Sequence, residues 1–214
     1  MRAMFRNIAL LVVALGFSLG LSAQNLHSPY GYGSYAGGVQ PRSFMEMGVL
    51  VGGSYMLSKS DAVELNPQLG IRAALAMSLC WDEAYALQME LGYIYNKIDA
   101  NLAGVSQSKQ SVKCGVFEIP LLFSYRGLGP IRLNIGPVLS LAGTARYDLP
   151  DERIEFGRVR PTLALAAGVG VELSKHLLLE ARYTSGFASM SNYFEGVEFK
   201  SKSHWLAFNL GYMF

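Results

Sequence analysis

The chain has 214 residues and a formal charge of +2, with 18 Lys and Arg against 16 Asp and Glu. That length suits one β domain of barrel size, near-neutrality without a Lys/Arg-rich run leaves no electrostatic footprint for a nucleic-acid partner, and two cysteines are too few for a disulfide framework. Mean hydropathy is positive at +0.24, yet beyond the N-terminal segment no run approaches the roughly 20 apolar residues that a membrane helix needs.

Arg2 and Arg6 lead into an apolar core from Ile8 to Leu21, and Leu21-Ser22-Ala23 precedes Gln24. This pattern predicts a secretory signal peptide over residues 1–23, cleaved between Ala23 and Gln24. No cysteine follows the apolar core, so a lipoprotein anchor is not expected. Residues 24–42 are rich in Gly, Tyr, Ser and Pro, as in Ser28-Pro29-Tyr30-Gly31-Tyr32-Gly33, and read as a flexible periplasmic lead-in.

From Ser43 onward the chain alternates apolar and small or polar residues with period two. The pattern recurs in eight stretches, 45–55, 69–78, 85–96, 116–125, 131–141, 162–172, 177–184 and 203–214. In the second, Leu69, Ile71, Ala73, Leu75 and Met77 share a face opposite Gly70, Arg72, Ala74, Ala76 and Ser78; in the last, Phe208, Leu210, Tyr212 and Phe214 face away from Ala207, Asn209, Gly211 and Met213. Eight such segments predict an all-β protein, an eight-stranded antiparallel up-and-down transmembrane β-barrel over residues 43–214. Pro120 and Pro137 lie within predicted strands and imply a bulge or local break, because proline donates no ladder hydrogen bond.

The connections are alternately long (56–66, 97–112, 143–159, 187–202) and short (80–84, 126–130, 174–176). Outer-membrane barrels have long extracellular loops and short periplasmic turns, so both ends of the barrel are expected in the periplasm and the protein in the cell outer membrane. A soluble lipocalin-type barrel alternates too. Its outer face would carry dense charge, whereas the second face here is mostly Gly, Ala and Ser with sparse charges. The apolar face is therefore expected to meet lipid and the small-residue face to fill a narrow lumen. Tyr55, Tyr85, Tyr95, Tyr125, Tyr183, Phe187, Phe214 and Trp81 fall near strand ends, where aromatic girdles sit.

The inward charges are Glu46, Arg72, Glu90, Glu118, Arg132, Glu172, Glu180 and Arg182. Unpaired charges in a tight lumen would be costly, so an interlocked polar network is expected. Glu46, Arg132, Glu172 and Glu180 should lie toward the periplasm, and Arg72, Glu90, Glu118 and Arg182 nearer mid-height.

Phe117-Glu118-Ile119-Pro120-Leu121-Leu122, Leu179-Glu180-Ala181-Arg182-Tyr183-Thr184-Ser185-Gly186 and the closing Leu210-Gly211-Tyr212-Met213-Phe214, with the Ser-Ala-Gln end of the signal, resemble the PorT-like outer-membrane β-barrel proteins of Bacteroidota. The resemblance covers roughly residues 44–214. It implies an eight-stranded barrel of the kind seen in OmpA- and OmpX-like proteins. The family's namesake is linked to type IX secretion of proteases, and the family brings no catalytic residues. Phe208, Leu210, Tyr212 and Phe214 also resemble the C-terminal signal read by outer-membrane assembly machinery.

For chemistry, only His204 of the three histidines lies near the outer rim, beside Ser203 and after Glu195 and Glu198 in the preceding loop; such a set makes a nucleophile, base and acid only if geometry unites it. No His/Cys cluster suggests a metal, and Asp148, Asp151, Glu152 and Glu155 read as a solvated loop before a cation site. Cys80 and Cys114 are expected at opposite ends of the barrel, too far apart to bond. Arg146, Tyr147, Arg153, Phe156, Tyr193, Phe194, Phe199 and Lys200 in the third and fourth long loops are the residue types of contact surfaces. The leading expectation is a non-enzymatic outer-membrane barrel with a structural or interaction role, accessory to secretion or envelope machinery. Its expected partners are outer-membrane lipid, the assembly machinery, and an envelope or extracellular protein met through the long loops; no cofactor is expected. A narrow channel for small solutes is the alternative, and an outer-membrane lipid-modifying enzyme the third.

Overall fold

A computed structural model describes residues 43–60, 63–81, 84–102, 110–142, 145–148, 153–157, 161–194 and 197–214. The expected signal peptide, its Ala23–Gln24 cleavage point and the lead-in lie outside these residues. The strands are β1 (Phe44–Ser60), β2 (Val63–Pro67), β3 (Leu69–Trp81), β4 (Tyr85–Leu102), β5 (Gln110–Leu128), β6 (Ile131–Ala142), β7 (Ala145–Asp148), β8 (Arg153–Gly157), β9 (Leu163–Glu172), β10 (Leu177–Gly186), β11 (Met190–Phe194) and β12 (Val197–Met213).

Eight of these form a closed wall. In the order β1, β3, β4, β5, β6, β9, β10, β12, each pairs antiparallel with the next. β12 then pairs with β1, from Gly48↔Met213 to Ser60↔Ser201. Closure gives each strand a neighbour on both sides, which is what a spanning sheet requires where no water can satisfy a free edge. The period-two pattern sets the facing: on β3 and β10 exposed and buried residues alternate along the strand. Ile71 and Phe208 remain 68% and 61% exposed, which suits a face solvated by hydrocarbon rather than water.

The short turns follow their local chemistry. Gly129 adopts φ 67° in the β5–β6 turn, a conformation that costs glycine little. In the β9–β10 turn the Ser174 hydroxyl accepts hydrogen bonds from the backbone N–H of His176 and Leu177. Pro120 and Pro137 interrupt the ladder without shifting it. β4–β5 pairing lapses between Met89↔Leu121 and Gly92↔Glu118, and β5–β6 pairing between Pro120↔Val138 and Phe123↔Ile135, with the register the same on both sides of each gap. The one shift in β5–β6 lies beside the turn, between Tyr125 and Leu128.

The long connections differ from expectation. Residues 56–66, 97–112, 143–159 and 187–202 were expected as loops, but much of each continues the sheet. β2 pairs with the upper part of β4, β7 with β5, β8 with β7 and β11 with β12, and Asn192↔Gly157 links β8 to β11. The wall therefore rises into a second storey at the long-loop end. The reason is inward apolar side chains beyond the expected strand ends: Met56, Ile98, Ala100, Val112, Phe156, Phe194 and Phe199 are all buried in one cluster with Trp205. Burying them favours ordered strands over solvated loops.

On the closing seam the backbone approaches Gly52 most closely, and Gly48 next. A Cβ on Gly52 would fall 1.8 Å from the Phe208 carbonyl oxygen, whereas at neighbouring Gly53 the nearest atom would be 3.6 Å away. Gly52→Ala is therefore expected to destabilise the β1–β12 seam by about 3 kcal/mol or more and to lose the heat-modifiable gel mobility of a folded barrel, while Gly53→Ala retains it.

Candidate functional site

Alternation aims every second residue of the wall into the lumen, and polar side chains there form two hydrogen-bonded clusters among the described residues. At mid-height, Arg72 on β3 donates from Nη2 to Glu90 Oε2 on β4 at 2.6 Å and from Nε to Glu118 Oε1 on β5 at 2.8 Å. Arg182 on β10 grips Glu90 with both terminal nitrogens, at 2.9 and 2.5 Å, and reaches Glu180 at 2.7 Å. Gln88 donates to Glu90 at 2.6 Å, and the Asn134 and Asn209 amides each donate to Glu180 at 3.0 Å. The fork of Arg182 on Glu90 is the geometry in which a charge-assisted pair is strongest.

The second cluster sits at the short-turn end. Arg132 on β6 holds Glu46 of β1 through both terminal nitrogens, at 3.1 and 3.2 Å, and donates from Nε to Glu172 of β9. Arg126 of β5 adds a third contact to Glu46 at 2.8 Å. Two arginines and two carboxylates balance here.

All eight charged residues singled out from sequence face inward and take part. Glu180 differs in placement: Arg182, two residues along the same face of β10, draws it into the mid-height cluster rather than the lower one. Arg126 was assigned to the turn, and Gln88, Asn134 and Asn209 were not counted because they carry no charge. Extending the alternation of Leu122 and Ser124 by one step would have put Arg126 inside.

Above mid-height the lumen changes character. Val138, Ala164 and Ala166, with Leu122 lower on β5 opposite Gln88, join the aromatic and aliphatic residues of the second storey in one buried apolar cluster. Phe156 packs edge-on against Phe194 and Phe199, with ring centroids 5.9 and 5.5 Å apart. These three were expected on an exposed contact surface and are instead fully buried, because each falls on the inward side of its strand. Tyr193, Arg146 and Lys200 do face outward; the side chains of Tyr147 and Arg153 lie outside the described residues.

The expected catalytic grouping does not assemble. Ser203 is buried in the lumen while His204, the next residue, lies on the outer face, since adjacent strand residues point to opposite sides. His204 instead stacks on Tyr183, and its Nδ1 lies 3.0 Å from both the Tyr183 and Ser185 hydroxyls. Glu195 is outside the described residues. No group of three or more His, Cys, Asp or Glu suited to a metal occurs among the described residues. Glu155 pairs with Arg146 at 3.5 Å on the surface, while Asp151, Glu152 and the Asp148 side chain lie outside the described residues. Cys80 and Cys114 form no disulfide. At the chain end, Phe214 donates its backbone N–H to Met47, and Phe208, Leu210, Tyr212 and Phe214 all lie exposed on the outer face.

Comparison with known proteins agrees with this architecture. The sequence matches the family described as outer membrane protein beta-barrel domain over residues 11–192. No protein of curated function matches it. Among solved structures it is similar to the outer membrane protein OprG of Pseudomonas aeruginosa, with TM-score 0.52 and 11% identity, covering 79% of this chain and 95% of that one. Neisserial surface protein A gives TM-score 0.51 and 14% identity over 78% and 96% of the two chains. Ail of Yersinia pestis, solved with the heparin analogue sucrose octasulfate, gives TM-score 0.50 and 11% identity over 82% and 100%.

The two kinds of ion pair should respond differently to truncation. Glu90→Ala leaves two buried guanidinium groups short of a partner and is expected to lower stability by about 3–5 kcal/mol. Glu155→Ala breaks an exposed pair and is expected to change it by less than about 1 kcal/mol. Urea unfolding in lipid vesicles reads both.

Proposed function

The chain belongs to the outer membrane protein beta-barrel domain family, and from that premise we propose that it is a non-conducting, non-enzymatic barrel that serves the envelope as a scaffold and contact surface. The observation that carries this reading is the doubly filled lumen. An arginine–carboxylate lattice crosses it at mid-height, and an apolar core fills it above. A conducting path needs continuous water, and neither layer favours one: the lattice engages its charges in direct pairs, and the upper layer is mainly apolar, with uncharged polar side chains such as Ser54, Asn96, Asn192 and Ser201 bonded to one another.

The contact surface is the outward side of the second storey, where Arg146, Tyr193 and Lys200 are exposed. Such residues are common anchors of protein contacts. The resemblance to PorT-like barrels supports a role beside secretion or envelope machinery, with an envelope or extracellular protein as partner. The C-terminal Phe208, Leu210, Tyr212 and Phe214 serve in this reading as the strand recognised during assembly, and residues 1–23 as the export signal.

Planar-bilayer recording is expected to show no stable unitary conductance for the wild-type barrel; reproducible openings above leak would favour the channel instead. Deleting Phe214 is expected to slow insertion in cells several-fold, read by pulse-chase of protease-resistant barrel, while the variant refolded in detergent keeps nearly its full stability. Normal insertion of that variant would remove the assembly role.

A further inference from the structure

One part of the mid-height lattice keeps oxygen atoms that no side chain engages. Arg72 divides between Glu90 and Glu118, and Arg182 between Glu90 and Glu180. Three carboxylates therefore share two guanidinium groups in this layer among the described residues. Glu180 has the weaker hold on Arg182: it meets only Nη2, a nitrogen that also bonds Glu90. Its remaining partners among the described residues are neutral amides, Asn134 on Oε2 and Asn209 on Oε1.

Each amide directs its N–H group at Glu180 and retains a carbonyl oxygen beside it. Asn134 Oδ1 and Asn209 Oδ1 receive no hydrogen bond from any described residue, although the two residues are only 3% and 2% exposed. Ser124 of β5, the direct cross-strand partner of Asn134, adds a third such oxygen, its Oγ, in a fully buried residue. The intervening backbone makes the grouping possible. Between Asn134 on β6 and Glu180 on β10, the inward positions of β9 are Gly168 and Gly170. With no side chain there, the Asn134 amide reaches across β9 to Glu180 at 3.0 Å.

Buried oxygens without a hydrogen bond are costly, and a buried carboxylate short of positive charge is more so. Water would serve the three oxygens and leave the charge. A proton on Glu180 would remove the charge and serve one oxygen at most. A small cation answers both needs. The unengaged donors of the layer, Arg72 Nη1 and Arg182 Nε, suit water, which can complete such an ion's shell.

We propose that Glu180, Asn134, Asn209 and Ser124 form a binding site for a monovalent alkali cation inside the barrel. All four offer oxygen, the ligand that hard cations take. One carboxylate that already shares an arginine supplies too little charge to strip the water from a divalent ion. The site lies below the apolar layer, so the ion is a part of the lattice and does not traverse the lumen.

The test follows urea unfolding of the full-length barrel in phosphatidylcholine vesicles as sodium chloride replaces choline chloride at constant ionic strength. Raising sodium from about 1 to about 100 mM is expected to increase the folding equilibrium constant about tenfold, as mass action gives for a dissociation constant of roughly 10 mM. Glu180→Gln should abolish the response. Ser124→Ala, which leaves the Arg182 pair intact, should reduce it to roughly threefold or less by weakening the site. Ser140→Ala removes a buried and equally unbonded hydroxyl about 20 Å further along β6, and should keep the full response. If Glu180→Gln does not fold, Ser124→Ala against Ser140→Ala decides. A wild-type folding constant indifferent to sodium, or a response undiminished in Ser124→Ala, overturns the site. Stability that ignores sodium and rises as pH falls assigns the missing charge to a proton on Glu180 and overturns it equally.

Discussion

A sheet that crosses hydrocarbon must satisfy every backbone N–H and C=O within itself. That demand governs this molecule. It explains why β12 must meet β1 along its length, and why the seam places a glycine where a backbone carbonyl approaches closely. It also explains how the two mid-strand prolines are accommodated. Each removes a ladder donor, but the gaps fall on successive seams of β5 and the register continues past both, so the wall absorbs them as local interruptions.

Closure creates the second problem, a lumen too narrow to leave empty. The chain fills it in two ways. From the short-turn end to mid-height, arginines bridge carboxylates from several strands, so one side chain ties together staves distant in sequence: Arg182 of β10 and Arg72 of β3 meet on Glu90 of β4. Such a lattice penalises any register in which one member is left unpaired. Higher up, aromatic and aliphatic side chains take over and pack as in a water-soluble core. The lipid-facing band outside and the filled interior together make the wall a solid object rather than a tube.

Much of this was legible in the amino-acid order. Period two assigned the faces of the wall strands, and the scarcity of charge on the small-residue face chose lumen over water. What escaped did so for identifiable reasons. Met56, Ile98, Ala100 and Val112 continue the alternation past the lipid band, but charged outward neighbours such as Lys97 and Lys113 mask it as loop. Phe156, Phe194 and Phe199 look like contact residues until the hairpins fold inward. Arg126 sits one step beyond an expected strand end, and Glu180 pairs according to side-chain reach rather than height. Ser203 and His204 were grouped by adjacency, although adjacency on a strand separates side chains to opposite faces.

The second storey also alters the thermodynamics of any encounter at the outer surface. Loose loops lose conformational entropy when a partner orders them. Here Arg146, Tyr193 and Lys200 project from paired strands whose opposite faces are pinned by Phe156, Phe194 and Phe199. Their backbone is ordered before anything arrives. A partner meeting this roof forfeits little in fixing it, so even a modest patch can bind selectively, and its outward residues can change without disturbing the strands that carry them.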